Sequence, residues 1–266
     1  RGPELGPVIR FDYIHEPSET EDPAAFARDA AAKRDTAARC ALVQVSTEVQ
    51  RRAFERIGVP AAKLRVVPFY LPDLAAAPED AVRARQQAPG PLRIVFVGHQ
   101  ARRKGLPELL AALRDPALAG LPLQLTVVSR FLDGDVPLPD DPRIVRHVAL
   151  PHAQVLDLVA DAHVLAVPSR RETFGLVYME GMAAGCVCVM AAGPQQRDIS
   201  DDGRCGLPVG PDSQALARTL RRLADDPDGR CALALAGLAR FRAVYAPDRV
   251  AAAYTAMLRD AAQGGT

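Results

Sequence analysis

The stretch His163-Val-Leu-Ala-Val-Pro-Ser169 runs directly into Arg170-Arg-Glu-Thr-Phe-Gly-Leu-Val-Tyr-Met-Glu-Gly-Met-Ala-Ala-Gly185. The first part is an apolar run of the length of one buried strand. The second passes through a polar loop and then carries Leu, Val and Met at helical spacing. A strand that feeds a helix through a short loop is half of a β-α-β unit, and such units build parallel sheets. Outward from this stretch the pattern recurs. Arg93-Ile-Val-Phe-Val-Gly98, Leu123 to Ser129, Arg143 to Leu150 and Cys186 to Met190 read as strands, and Pro107 to Leu113, Ala153 to Ala162 and Phe174 to Ala184 as helices.

A shorter unit precedes these. Val8 to Ile14, Ala41 to Ser46 and Leu64 to Pro68 read as strands, with helices over Pro23 to Arg39 and Glu48 to Ile57, the second closed by Gly58. The Pro-, Ala- and Gln-rich stretch from Pro72 to Pro91 shows no periodicity and reads as a linker. Helices are expected over Ser213 to Ala224, Asp228 to Tyr245 and Pro247 to Ala262.

Composition places few limits beyond this class. With 48% hydrophobic and 24% charged residues, the chain can bury a sizeable core. A formal net charge of +1 supplies no overall field toward DNA, RNA or an anionic membrane, so nucleic acid is not an expected partner. The longest apolar stretch without an ionisable residue, around Ala183 to Ala192, is far shorter than the roughly 20 residues that span a bilayer. Cys40, Cys186, Cys188, Cys205 and Cys231 lack the paired spacing of a zinc site or a disulfide framework, which points to a reducing, cytoplasmic setting. The chain starts at Arg1 with no signal-like segment after it, so it is expected to begin inside a longer one.

Two loops carry candidate chemistry. Gly98-His-Gln-Ala-Arg-Arg-Lys-Gly105 leaves a strand and opens a helix, and there backbone amides, the helix dipole, Arg102, Arg103 and Lys104 together describe a phosphate site. A solvated basic cluster is the plainer meaning of the same residues. In the second loop the amides of Thr173, Phe174, Gly175 and Leu176 are expected to face the same crevice. Glu172 and Glu180 can each accept two hydrogen bonds from a vicinal diol, as acidic residues do for a ribose. A capping carboxylate at Glu172 and an ordinary helix residue at Glu180 remain the alternative. No G-x-G-x-x-G follows any strand, which disfavours a nicotinamide-dependent oxidoreductase.

The order of these segments resembles the group 1, family 4-like, retaining glycosyltransferases of GT-B type. Their second domain carries a Gly-basic-Lys-Gly loop, here Gly98 to Gly105, followed by a Glu-x7-Glu element, here Glu172 to Glu180. Asp198-Ile-Ser-Asp-Asp-Gly-Arg-Cys-Gly206 is similar to a further segment of that family, and the likeness runs from about Cys40 to the last helix. The resemblance implies a Rossmann-like, doubly wound parallel sheet with a partial N-terminal α/β unit. The implied division is residues 1–74 as the closing part of an acceptor-side domain, 75–91 as linker, 92–246 as the nucleotide-sugar-binding domain, and 247–266 as a helix packing back on the first unit.

By position, Lys104 would bind the diphosphate, Glu172 the transferred sugar, the Phe174 and Gly175 amides the phosphate and sugar, and Glu180 the ribose. Val145 to Val148 falls where the family holds the base through its backbone, and His15 where a catalytic histidine faces the donor sugar. Two positions depart from the pattern. His99 stands where arginine is usual, so the second cation falls to Arg102 or Arg103, and Pro194-Gln-Gln-Arg-Asp198 replaces a Gly-Gly-x-Pro-Glu turn.

The implied activity is metal-independent transfer from a nucleoside-diphosphate sugar, with no cofactor, to a saccharide, lipid or small-molecule acceptor. A peripheral membrane contact would come through an N-terminal part. The alternatives are a nucleotide-sugar-binding fragment without transfer activity and a sugar-nucleotide epimerase of related fold.

Overall fold

The computed structural model describes residues 9–11, 22–129, 136–170, 172 and 174–263. The chain divides into two compact units, Arg1–Pro72 with Pro247–Thr266, and Asp73–Ala246.

In the first unit β1 (Ile9–Phe11), β2 (Leu42–Val45) and β3 (Leu64–Val66) form a parallel sheet with β2 central. The helix α1 (Pro23–Arg39) starts where the Asp22 carboxylate accepts from the Ala24 N–H at 2.9 Å and Pro23 takes the first turn. It ends where the Lys63 ammonium donates to the carbonyls of Ala37, Ala38 and Cys40. Alternation along β2 feeds two cores. Val43 and Val45 pack with Ala53 and Phe54 of α2 (Glu48–Arg56), whereas Leu42 packs with Val250, Met257 and Ala261 of the last helix, Pro247–Gln263. On that second face Gln44 donates from its side-chain amide to the Val67 carbonyl at 2.9 Å and to the Tyr254 hydroxyl at 2.6 Å.

The second unit holds a six-stranded parallel sheet. Its strands are β4 (Leu92–Val97), β5 (Leu123–Val128), β6 (Ile144–His147), β7 (Val164–Val167), β8 (Val187–Met190) and β9 (Leu207–Pro208). Their spatial order is β6-β5-β4-β7-β8-β9. The chain therefore winds outward one way from β4 and the other way from β7, and the crevice outside their carboxyl ends is the ligand position of such sheets. Every residue of β7 and β8 is buried, as expected of strands covered on both faces.

The stretch 75–91 is not a linker. Glu79–Gln87 forms helix α3, and it belongs to the second unit. Its sequence hides the helix because its buried residues are Val82 and Gln86, a single apolar group and an amide. Tertiary bonds hold it. Gln86 donates to the carbonyls of His163 (3.0 Å) and Gly185 (2.9 Å), and the Arg85 guanidinium donates to those of Ala184 and Gly185. Val82 lies over Gly185 at φ +71°, where an added Cβ would come within 2.3 Å of it.

The strand read over Arg143 to Leu150 stops at His147, and Ala149 turns the chain with φ 53°. Pro194–Ile199 forms a short helix. All five cysteines are free and buried. Cys186 and Cys188 are wholly enclosed, and burial pushes the Cys186 thiol up to about 11.

Candidate active site

Two loops meet outside the carboxyl ends of β4 and β7. The first ends at Gly105, which has φ +83° and precedes helix α4 (Leu106–Ala112). A Cβ on Gly105 would stand 2.3 Å from the Pro168 carbonyl oxygen, so the first loop lies against the second only because this residue is glycine. The Arg170 N–H donates to the Arg103 carbonyl at 2.9 Å, and the Arg170 guanidinium pairs with Glu108.

This contact between loops brings the Lys104 ammonium onto the Glu172 carboxylate, with side chains 15% and 8% exposed. Ser169 Oγ donates to the same carboxylate oxygen at 3.2 Å. Two residues 68 apart in sequence thus form one charge-neutral pair in a partly dehydrated crevice. Arg102 and Arg103 are exposed on the same loop, beside Lys104.

Helix α5 (His152–Asp161) follows β6, and α6 (Leu176–Ala183) follows the second loop. Gly175 opens α6 with φ +88°, and no side chain caps that end. An added Cβ on Gly175 would strike the Tyr178 ring at 2.4 Å. Tyr178 is fully buried, donates from its hydroxyl to the Val167 carbonyl at 2.8 Å, and accepts from the Ala191 N–H at 3.3 Å. Loss of water raises its pKa further above the phenolic range. Phe174 is buried edge-on against Tyr245, with ring centroids 6.2 Å apart. Leu176 is exposed at the opening.

A cavity of about 340 Å³ continues from this crevice along β4 and β5. Val97, Val128, Leu150 and Val155 give it apolar walls, and His99, Ser129, His152 and Glu180 give it polar groups. Glu180 accepts from His152 Nε2–H at 2.8 Å.

The sequence-selected residues fall as follows. Gly98, His99, Arg102, Arg103, Lys104, Glu172, Phe174, Gly175, Leu176 and Glu180 all belong to the carboxyl-end loops or to α6. Gly98 is held close to the Lys104 side chain, which an added Cβ would meet at 3.0 Å. His99 lies in the cavity wall rather than among the loop cations. Val148 is 46% exposed, and the wall on its side is made by Ala149 and Leu150. His15 and Thr173 lie outside the described residues.

Sequence reasoning missed His152, Ser169 and Tyr178. Ser169 lies three residues from Glu172 and was within reach of a spacing argument, whereas His152 meets Glu180 across 28 residues and carries no local signal. Pro194-Gln-Gln-Arg-Asp198 lies in the short helix Pro194–Ile199, with Gln195 and Gln196 buried. No helix among the described residues is long and apolar enough to cross a membrane.

Comparison with known proteins accords with this geometry. The family of glycosyl transferases group 1 matches residues 91–226, which include both loops and all six strands of the larger sheet. D-inositol 3-phosphate glycosyltransferase 1 of Catenulispora acidiphila is 33% identical over 206 residues, covering 70% of this chain and 48% of that protein. Glycogen synthase of Mycobacterium tuberculosis is 28% identical over 151 residues, 54% of this chain and 36% of that one. The chain thus spans about half the length, or less, of these curated relatives.

Among solved structures, Anabaena HepE in complex with UDP superposes with a TM-score of 0.76 at 19% identity, covering 95% of this chain and 72% of that one. Sucrose-phosphate synthase from Thermosynechococcus elongatus gives 0.67 at 25% identity, with 91% and 63% covered. Family match, switch-point loops and fold agree: the chain belongs to the group 1 glycosyltransferases and has the α/β architecture of GT-B enzymes.

Proposed function

We propose that this chain holds the donor end of a retaining, metal-independent glycosyltransferase that moves a sugar from a nucleoside diphosphate to an acceptor hydroxyl. The observation that carries the reading is the Lys104–Glu172 contact at the switch point. A diphosphate leaving group gains negative charge as the sugar departs, so fixed cations and amides placed there lower the barrier. In this reading Lys104 meets the diphosphate, Arg102 or Arg103 adds the second cation, and the uncapped amides opening α6 complete the cradle.

A carboxylate near phosphate is repelled unless it is neutralised. Glu172 is held by Lys104 and Ser169, so it can face the sugar hydroxyls without opposing the phosphates. The apolar cavity takes the base, with Glu180 at the ribose. UDP is the first nucleotide to try, because HepE was crystallised with it.

Thermal unfolding with UDP, GDP and ADP tests the donor site. A ligand at about a hundred times its dissociation constant adds roughly 2.7 kcal/mol, or several degrees, to the midpoint. A rise with one nucleoside diphosphate supports the reading, and no rise with any of them refutes it for this chain. The alternative reading is donor binding without transfer. Hydrolysis or transfer of the sugar by this chain would exclude it.

A further inference from the structure

Glu180 is the most enclosed ionisable group of the apolar cavity, with its side chain 13% exposed among Val97, Val128, Leu150 and Val155. A carboxylate in such surroundings must be hydrogen-bonded, or it takes up a proton or swings out toward water. Among the described residues its carboxylate has one hydrogen bond, from His152 Nε2–H to Oε1 at 2.8 Å. The turn between β6 and α5 delivers that donor. Ala149 adopts φ 53°, a conformation unfavourable for a residue with a Cβ, and Pro151 then makes His152 the first residue of α5. Strain of this kind persists where the surrounding structure fixes it, and it clusters at functional sites.

We propose that His152 is a positioning residue for the ribose end of the donor. It anchors Oε1 of Glu180 and so sets how strongly the site distinguishes a ribose from a deoxyribose. The inference rests on the reading of Glu180 as the ribose ligand. A carboxylate offers about four lone-pair sites, so Oε1 can keep His152 and still accept a hydroxyl while Oε2 accepts its neighbour. The imidazole donates either as the neutral Nε2–H tautomer or as the cation.

The side chain of His152 is 68% exposed, so water competes for its bond to Glu180. A nucleotide in the cavity displaces that water, and the bond strengthens as the local dielectric falls. The contribution of His152 therefore appears on ligand binding and not on folding. It is also separate from phosphate binding, because Lys104 and Glu172 lie on the two other loops.

The test measures equilibrium binding of three probes: the nucleoside diphosphate that stabilises the chain, its 2′-deoxy form, and inorganic diphosphate. The proteins are the wild-type chain, His152→Ala, His152→Gln and Glu180→Ala. The wild-type chain is expected to prefer ribose by about tenfold, and His152→Ala to reduce that preference by about threefold to fivefold. Inorganic diphosphate affinity and the unfolding midpoint stay in place. His152→Gln, whose amide can donate, restores the preference.

If Glu180→Ala abolishes the preference and His152→Ala leaves it intact, the inference fails and the reading of Glu180 stands. If neither change alters it, or the wild-type chain shows none, both fail. Equal losses for all three probes in His152→Ala would make the residue structural and overturn the inference.

Discussion

The two ends of the six-stranded sheet each gather charged and polar side chains, and they use them in opposite ways. At the amino ends, beneath β4 and β7, Arg230 is only 5% exposed. It donates to the Gln86 side-chain oxygen at 3.0 Å, to the Leu223 carbonyl at 2.7 Å and to the Gln86 carbonyl. His163 is bound the same way, accepting from the Arg93 N–H at 3.0 Å and donating to the Arg85 carbonyl at 2.9 Å. Nearly all of these partners are backbone, so the cluster closes on the fold itself. At the carboxyl ends Lys104, Glu172, Ser169, His152 and Glu180 bond through side chains alone. Groups that bind only each other can exchange partners with a ligand, whereas groups tied to backbone cannot without unfolding something.

The difference can be broken or sharpened by experiment. The largest effect belongs to the amino end. Arg230→Met strands the Gln86 and Leu223 acceptors in the interior and should cost about 3 kcal/mol or more, a drop in midpoint of about 10 °C. The rise produced by a nucleoside diphosphate should survive, and its disappearance in calorimetry would merge the two ends functionally.

Next comes an acid effect. Burial first, then the nearby Arg93 and Arg230 charges, push the His163 imidazole down to about 4 from 6.5. Between those values the unfolded chain binds a proton that the folded chain refuses. Stability therefore falls as pH drops from about 6.5 to about 4, by roughly 3 kcal/mol from this group. Urea midpoints for His163→Asn should show a shallower slope across that window, and an unchanged slope would remove His163 as the cause.

At the carboxyl end, Lys104→Ala should weaken both a nucleoside diphosphate and inorganic diphosphate by about tenfold to a hundredfold. Glu180→Ala should weaken the nucleotide alone. Equal losses of both ligands from the two changes, measured by calorimetry, would dissolve the assigned division between phosphate and ribose. The smallest effect belongs to Arg170→Ala. Its guanidinium is 54% exposed, and its backbone bond to Arg103 survives the change, so affinity should move by less than about threefold. A larger loss would show that the loops are held by the ion pair and not by the glycine contact.

Most of the sheet was legible because parallel strands covered on both faces are written as unbroken apolar runs, as in Val164–Val167 and Val187–Met190. The two loops were legible as well, since glycine, lysine and glutamate at fixed intervals after a strand have a local chemical meaning. What escaped was information held between distant residues. Helix α3 has little apolar stripe and depends on Arg85 and Gln86 reaching carbonyls roughly a hundred positions away. The eight-residue strand expected after Arg143 was cut short by Ala149, whose left-handed turn no propensity of alanine announces. His152 was invisible for the same reason, because it acquires meaning only through that turn.

The helix Pro247–Gln263 closes the face of β2 and β3 that Leu42, Gln44 and Val67 present. In chain order the helix comes after the rest of that face, with all of Asp73–Ala246 in between. A polypeptide emerging from the ribosome therefore can complete the inserted unit first, from contiguous sequence. The smaller sheet waits with one side uncovered until the final turns of helix arrive. Its assembly is the high-contact-order step of the molecule, and the interval before it ends is when an apolar strand face is open to aggregation.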